Sequence, residues 1–329
     1  MSKKTNNLKN DVIEASKLFT KPCNVVAFLE KKYGITKENH RKFYDKVQKM
    51  MKYMKDKNVI KECDSKIVQN LEPEVHTNDW DGTQTIKIAI MGDTQLGSKY
   101  AQITYLKKFY DICKKEGIKD IYHTGDITDG LKMRPGHEYE LYEVSADDMI
   151  EDVVKNYPKY DGMKTHFITG NHDASLYKHV GYDIGKAIAM KRPDMDYLGR
   201  DCAVVKLTDN CTLELRHPWD GTAYALSYKP QKMVESMESD SKPNILAIGH
   251  YHKAEYLFYR NVHVLQTGCF QSQTPFTRGK GISVNLGGWI VTIEVEKDGT
   301  VKSIAPKFIP FYKSIKDDYK NFKDIYFAC

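Results

Sequence analysis

The chain has 329 residues, of which 41% are hydrophobic, and carries 50 Lys and Arg against 44 Asp and Glu; at roughly 150 residues per domain it is long enough for about two domains and a sizeable core. No apolar run approaches the ~20 residues that cross a bilayer, and the polar start at Met1 does not resemble a signal peptide. Seven scattered cysteines without a Cys-x-x-Cys pair exclude a disulfide framework, so we expect a cytoplasmic protein with reduced thiols.

The first quarter of the chain is basic and helical in pattern. Residues 1–80 hold 17 Lys and Arg against 11 Asp and Glu, which accounts for the whole net charge of +6. Apolar residues there recur at helical spacing, and two short alternating runs follow them. The predicted helices lie near 11–19, 24–33 and 37–57, and the runs 59–63 and 66–68 would form a small hairpin.

Three short helices and a hairpin match the outline of a winged helix-turn-helix, a DNA-reading module. The basic charge gives the electrostatic footprint of a nucleic-acid partner but no sequence code. A helical protein-interaction domain with solvated lysines fits the same pattern. We therefore predict a basic, winged helix-turn-helix-like domain over residues 1–72 with nucleic acid or protein as its partner, a polar linker over 73–84, and a second domain over 85–329.

In the second domain, strand-like runs alternate with amphipathic helices, which indicates βαβ units and a largely parallel sheet. The clearest helices are predicted over 103–115, 139–157 and 182–191. From Met195 onward short strands joined by turns predominate, including those over 289–295 and 301–306. A second sheet, rich in hairpins, should pack on the first with helices outside.

Five of the predicted strands end in side chains that can bind a metal or move a proton. Because ligands bind at the carboxyl ends of strands in α/β sheets, these ends should meet in one site. The alternative is that each strand end is an ordinary polar turn, and this explanation would have to hold five times over. The strand ends are Gly92-Asp93-Thr94-Gln95, Gly125-Asp126 with Asp129, Gly170-Asn171-His172-Asp173, His217, and Gly249-His250-Tyr251-His252.

In this order, from about Thr85 to His252, the residues resemble the motifs of the calcineurin-like metallophosphoesterase superfamily. Those motifs are Asp-x-His, Gly-Asp-x-x-Asp, Gly-Asn-His-Asp/Glu, a lone His and Gly-His-x-His. Four of them match fully, and the first reads Asp93-Thr94-Gln95, with Gln where the family usually has His. The resemblance implies an α/β domain over 85–329, built as a four-layer α/β/β/α sandwich of two mixed sheets.

The resemblance also implies two divalent metal ions that share the carboxylate of Asp126, which has two oxygens to divide. The first ion would be held by Asp93, Gln95, Asp126 and His252, and the second by Asp126, Asn171, His217 and His250. Carboxylate, amide oxygen and imidazole together suit manganese, iron or zinc. Gln95 either offers a neutral oxygen, which favours manganese or magnesium over zinc, or only hydrogen-bonds a loop backbone.

By the same resemblance, His172 donates a proton to the leaving oxygen, since both of its charge states are accessible near pH 7. Asp129 would hold His172 in its active orientation, and Asp173 is expected to be structural. The remaining histidines are expected to have no metal role. They are His123, His166 and His263 in strand-like runs and His40, His76, His137 and His179 on polar segments.

The predicted function is metal-dependent hydrolysis of a phosphoester substrate. A phosphodiesterase or nuclease acting on DNA is favoured by the basic amino-terminal segment and by resemblance to the repair nucleases of the superfamily. A phosphatase for proteins or small phosphoesters is a second hypothesis. A third is a DNA- or protein-binding module whose Gln95 site binds metal but turns over poorly. Lys99, Arg134, Arg278 and Lys280 could approach phosphate or be plain surface charges.

Overall fold

The computed structural model describes Leu8, Asp11, Val12, Ala15 and residues 22–36, 39–56 and 73–322. The chain divides into two compact units, Met1–Val68 and Gln69–Cys329. Among the described residues, every helix is too short or too polar to span a bilayer.

In the first unit, helix α1 (Pro22–Tyr33) contacts helix α2 (His40–Asp56). Val26 and Leu29 from α1 and Val47 from α2 are buried in a small apolar core, at the helical spacing that predicted both helices. The predicted helix 11–19 lies mostly outside the described residues and the predicted hairpin lies wholly outside them. The winged helix-turn-helix therefore stays a prediction.

The first sheet of the second unit has six strands in the order β12-β11-β2-β3-β4-β5. Strands β2 to β5 are parallel, and β11 runs antiparallel between β2 and β12. The strands are β2 (Thr85–Met91), β3 (Asp120–His123), β4 (Lys164–Thr169), β5 (Met195–Arg200), β11 (Gly287–Val295) and β12 (Val301–Pro310).

The second sheet also has six strands, in the order β1-β6-β7-β8-β10-β9. It is mixed, because β8 runs parallel to both β7 and β10 while β6 with β7 and β10 with β9 are antiparallel pairs. Its strands are β1 (Glu74–Thr77), β6 (Cys202–Thr208), β7 (Cys211–Arg216), β8 (Ile245–Ile248), β9 (Ala254–Tyr259) and β10 (Val262–Thr267).

Alternating residues of β2 belong to two different cores, since successive side chains of a strand point to opposite faces of the sheet. Ile88 and Ile90 are buried with Leu213 and Leu215 of the second sheet, which forms the core between the sheets. Ala89 and Met91 are buried with side chains of the helices, among them Leu106. The two mixed sheets and their helices confirm the predicted metallophosphoesterase fold.

The remaining helices cover the outer faces of the sheets. Val234, for example, is buried against Leu246 and Ile248 of the second sheet. The helices are α3 (Ile103–Lys115), α4 (Ala146–Asn156), α5 (Ala174–Val180), α6 (Ile184–Lys191), α7 (Tyr228–Ser236) and α8 (Pro275–Gly279), and the short 3₁₀ turns are His137–Glu140 and Asp318–Asn321.

Three features of the fold differ from the predictions. Residues 74–77, predicted as linker, form β1, which pairs in parallel with β6 at the edge of the second sheet. The strands predicted over 289–295 and 301–306 join the first sheet and not the second. The predicted helix 139–157 is shorter, because Ser145 caps α4 by accepting a hydrogen bond from the Asp148 backbone N–H at 3.1 Å.

Candidate metal centre

Five of the seven predicted metal ligands have positive φ angles, which only a few per cent of non-glycine residues adopt. These angles are 52° at Asp93, 46° at Gln95, 57° at Asp126, 76° at His250 and 55° at His252. Each residue follows a strand and turns its chain sharply. Such backbone strain clusters at functional sites, where the surrounding structure holds it in place.

The predicted second metal site brings Asp126, Asn171, His217 and His250 together. The Asn171 Oδ1 lies 3.0 Å from His217 Nε2 and 2.8 Å from His250 Nδ1, and His217 Nε2 lies 3.2 Å from Asp126 Oδ2. The ligand atoms of Asp126, His217 and His250 all lie within 4.8 Å of one another.

In each of the two imidazoles, the outer nitrogen, which points away from Asn171, determines whether the inner nitrogen, which faces Asn171, carries a lone pair. His217 Nδ1 lies 2.7 Å from the Thr124 carbonyl oxygen and His250 Nε2 lies 2.7 Å from the Asp220 carbonyl oxygen. A carbonyl only accepts, so each outer nitrogen carries a proton, and in its neutral form each ring turns a lone pair toward Asn171 Oδ1. Oxygen and nitrogen lone pairs that converge in this way fit a bound cation, with the carbonyls orienting the rings.

The pKa values of this group are set by burial and by the charges of its members on one another. Burial would raise the pKa of Asp126, but His217, His172 and His250 hold it well below its usual range. Burial lowers the pKa of His217, but the charges of Asp126 and Asp93 outweigh burial and raise this pKa to about 9. Burial and the neighbouring His217 lower the pKa of His250 to about 4. The carboxylate is thus kept charged, as a metal ligand must be.

The predicted first site brings Asp93, Gln95, Asp126 and His252 together. His252 Nε2 lies 3.3 Å from Asp93 Oδ1, and the Asp93 carboxylate also accepts the His250 backbone N–H at 3.0 and 3.1 Å. Gln95 Nε2 lies 3.4 Å from both Asp126 Oδ2 and His252 Nε2. Gln95 therefore reaches the site with its side-chain amide, whose oxygen is the atom that metal ligation requires.

Gly170 lets the chain pass close to these ligands. A Cβ atom at this position would lie 2.6 Å from His217 Nε2 and closer still to Asp126 Oδ1. The glycine of the Gly-Asn-His motif is therefore required by space at the site.

His172 and Asp129 are in contact, as predicted. His172 Nδ1 lies 2.9 Å from Asp129 Oδ1 and 2.7 Å from the Asp129 backbone oxygen. The His172 backbone N–H donates to Asp126 Oδ1 at 2.8 Å, which ties this pair to the proposed metal ligands. Asp129 Oδ2 accepts a further hydrogen bond from Gln271 Nε2 at 3.3 Å.

His137, which was expected on a polar segment without a metal role, lies beside Asp129, a contact that the sequence did not predict. It is fully buried, and its Nε2 lies 3.4 Å from Asp129 Oδ2, on the oxygen that His172 does not use. Asp129, His137 and His172 form the other described group whose ligand atoms lie within 4.8 Å of one another. Asp129 is thus held between two imidazoles.

Asp173 has the structural place that was expected for it. Its carboxylate accepts the backbone N–H groups of Ile127, Thr128 and Gly170 at 2.9 to 3.1 Å. These bonds fasten the loop after β3 to the loop after β4. Burial and the charge of Asp126 raise the pKa of Asp173 to about 6.

His123 and His166 are also placed as structural histidines. Burial lowers the pKa of His123 to about 4, and its Nδ1 accepts the Gly125 backbone N–H at 3.1 Å. His166 lies between Asp120 and Asp196 at the far side of the strand. Neither side chain belongs to the two described clusters of ligand atoms.

A cavity of about 510 Å³ opens at the candidate centre. Asp126, Asn171, His172, His250 and His252 line one part of it. Its size is within the ~300–1,000 Å³ that small-molecule sites occupy.

Two mixed sheets that carry carboxylate, amide and imidazole side chains at converging strand ends are typical of the metallophosphoesterase fold. The chain belongs to the calcineurin-like phosphoesterase family, whose sequence profile matches residues 86–254.

Curated relatives include two archaeal proteins named DNA polymerase II small subunit. The one from Methanothermobacter thermautotrophicus is 26% identical over 49% of this chain and 40% of its own length. The one from Halobacterium salinarum is 23% identical over 68% of this chain and 51% of its own length. The chain thus spans about half or less of these relatives. Among solved structures, an archaeal phosphodiesterase aligns over 68% of this chain and its own full length, with 14% identity and a TM-score of 0.38.

Proposed function

We propose that this protein hydrolyses phosphodiesters of DNA with the help of two divalent metal ions, with manganese as the preferred ion at both sites. The observation that carries the proposal is the convergence of His217 Nε2 and His250 Nδ1 on Asn171 Oδ1, beside the charged Asp126 carboxylate. The ions would be held by the two sets of side chains described above. When bound, they would polarise the phosphoryl group and activate water.

His172 is proposed as the general acid. Asp129 accepts the proton on His172 Nδ1, so a second proton, on Nε2, is the one available to a leaving oxygen. Burial opposes the charged ring, but Asp126 and Asp129 outweigh it and raise the pKa of His172 to about 9. The ring lines the cavity and is therefore within reach of a substrate.

DNA is proposed as the substrate for two reasons. Residues 1–80 hold the whole net charge of +6, which is the electrostatic requirement for a polyanion. The curated relatives carry the name of DNA polymerase subunits. We therefore propose that residues 1–72 form a separate domain that contacts nucleic acid.

A second candidate function is a binding subunit that turns over poorly. Gln95 favours it, because a neutral amide stands where the family motif has an imidazole ligand, beside Asp126 and His252. The relatives named as small subunits of a polymerase favour it as well. In this case the chain would act through contacts with DNA or with another protein.

The test is hydrolysis with Mn²⁺ of bis-p-nitrophenyl phosphate, p-nitrophenyl phosphate and linear DNA in parallel, with EDTA as the control. The proposal predicts metal-dependent cleavage of the diester and of DNA, with slower cleavage of the monoester. A monoester that is cleaved fastest would indicate a phosphatase. Failure to cleave any of the three would favour the binding subunit.

A further inference from the structure

The cavity at the candidate centre has a part that the proposed chemistry does not use. Beyond the polar ligands it is lined by Met133, Trp219, Phe276 and Ile282, with Arg134 and Lys280 among them. Aromatic rings and cations in one cavity recognise ligands that combine flat rings with negative charge.

Phe276 lines this cavity from a short helix whose start is held by hydrogen bonds. Thr274 is buried, its Oγ1 accepts the Thr277 backbone N–H at 3.2 Å, and Thr277 Oγ1 accepts the Thr274 backbone N–H at 2.9 Å. These reciprocal bonds cap the short helix α8. Yet Phe276 on this helix is 41% exposed. A large apolar side chain left exposed on a rigid turn in a cavity is suited to bind a ligand.

Two cations next to Phe276 have different surroundings. The Arg134 guanidinium lies 4.4 Å from the centre of the Phe276 ring and pairs with Glu140, so its charge is largely matched. Lys280 is exposed, and no acidic side chain among residues 73–322 lies within ion-pair distance of it. Lys280 therefore supplies the unmatched positive charge, while Arg134 covers one face of the Phe276 ring and leaves the other face to a ligand.

We propose that this part of the cavity is a subsite for an unpaired nucleobase of a single-stranded nucleic acid, stacked on Phe276 with a neighbouring phosphate at Lys280. Bases within a duplex are already stacked on their neighbours, so only an unpaired base can reach a ring inside a cavity. The inference rests on the proposed function, in that it names the form of nucleic acid that reaches the metal centre.

The test is binding and not hydrolysis. A fluorescein-labelled thymidine hexamer and the same hexamer with all bases replaced by abasic sites are titrated with the full chain carrying His172→Ala, in Mn²⁺, by fluorescence anisotropy. Phe276→Ala and Phe276→Tyr are added in this background. Phe258→Ala is the matched control, because Phe258 is 56% exposed on β9 and lies outside the cavity lining.

Loss of stacking on one base predicts that Phe276→Ala raises the Kd of the thymidine hexamer by about 5- to 150-fold. The Kd of the abasic hexamer should stay unchanged, Phe276→Tyr should restore binding, and Phe258→Ala should have no effect. Lys280→Ala should weaken both hexamers alike and lower the salt slope by about 0.7. Lys297→Ala, at another exposed lysine, is its control.

An equal effect of Phe276→Ala on both hexamers, or no effect on either, would overturn the proposal. So would a phosphotyrosyl peptide that displaces the thymidine hexamer at a lower concentration than unlabelled hexamer does. Binding is measured without turnover, so the two proposals can fail separately. If the wild type cleaves no ester but Phe276→Ala still weakens binding of the thymidine hexamer alone, the subsite stands and the hydrolase is rejected.

Discussion

His172 and Asp129 are joined by two contacts of the same ring nitrogen: His172 Nδ1 lies 2.9 Å from the Asp129 carboxylate and 2.7 Å from the Asp129 backbone oxygen. The two acceptors fix which nitrogen carries the inner proton and how the ring is turned. His137 Nε2 lies 3.4 Å from the other oxygen of the same carboxylate. The general acid of the proposed reaction is thus held in one orientation before a substrate binds.

We expect His172→Ala to keep its bound metal and to lower turnover by about 10²- to 10⁴-fold, the usual contribution of general acid catalysis. The loss should be smallest for p-nitrophenyl esters, whose leaving group needs little protonation, and largest for DNA. Metal content and initial rates on both substrates measure it. His263→Ala, at a half-buried histidine on β10, is the control. Loss of metal in His172→Ala would make His172 a ligand and contradict its assigned role.

The convergence of the proposed ligands could be predicted from the sequence because the fold brings strand ends together. Asp93, Asp126 and Asn171 follow three parallel neighbours, β2, β3 and β4, so their side chains meet at one edge of the sheet. Positions along the chain and the periodicity of the strands are enough to predict such a meeting.

His137 could not be predicted in this way. It lies in a 3₁₀ turn that follows Gly136, which has a φ of 81°, and no periodic pattern surrounds it. Its contact with Asp129 exists only through the tertiary fold. The same holds for β11, which pairs antiparallel with β2 although about 200 residues separate them, because local patterns favour a strand but do not select its partner.

Gln95→His should tighten the first site and raise zinc affinity, because imidazole is a better zinc ligand than an amide. The second site, which Gln95 touches only through the shared Asp126, should be largely unchanged. Competition titrations with a zinc chelator measure both sites, and Gln231→His on α7 controls for adventitious binding by an added histidine. Unaltered zinc affinity and rates would show that Gln95 does not ligate the first ion.

His166 should make stability depend on pH. Burial opposes its charge, but Asp120 at 2.9 Å and Asp196 at 3.2 Å outweigh burial and raise its pKa above 6.5. The folded state thus holds this proton more tightly than the unfolded state does. The stabilisation is complete below about pH 6.5, the unfolded pKa, and is lost as the pH rises through the folded pKa.

We therefore expect His166→Gln to lower the free energy of unfolding more at pH 6 than at pH 9, as measured by urea denaturation. His263→Gln is the control with the opposite sign, because burial lowers the pKa of His263. Curves of wild type and His166→Gln that stay parallel between these pH values would contradict the ion pairs.

Removal of residues 1–72 should leave only weak binding to duplex DNA and keep the hydrolysis of a small diester intact, because all proposed ligands lie at or beyond Asp93. The truncation ends before Glu74 so that β1 keeps its pairing with β6. For every phosphate that the truncated protein no longer neutralises, the slope of log affinity against log salt should fall by about 0.9 on duplex DNA. An unchanged slope would instead indicate a protein-interaction domain.

The most direct test of the metal centre compares bound manganese and the hydrolysis of bis-p-nitrophenyl phosphate in wild type, Asp126→Asn and Asp209→Asn. Asp126 contacts ligands of both predicted sites, while Asp209 is an exposed carboxylate and serves as the control. We predict that Asp126→Asn remains folded, loses most of its manganese and nearly all hydrolysis, and that Asp209→Asn matches wild type. Full manganese content with an undiminished rate in Asp126→Asn would contradict the assignment.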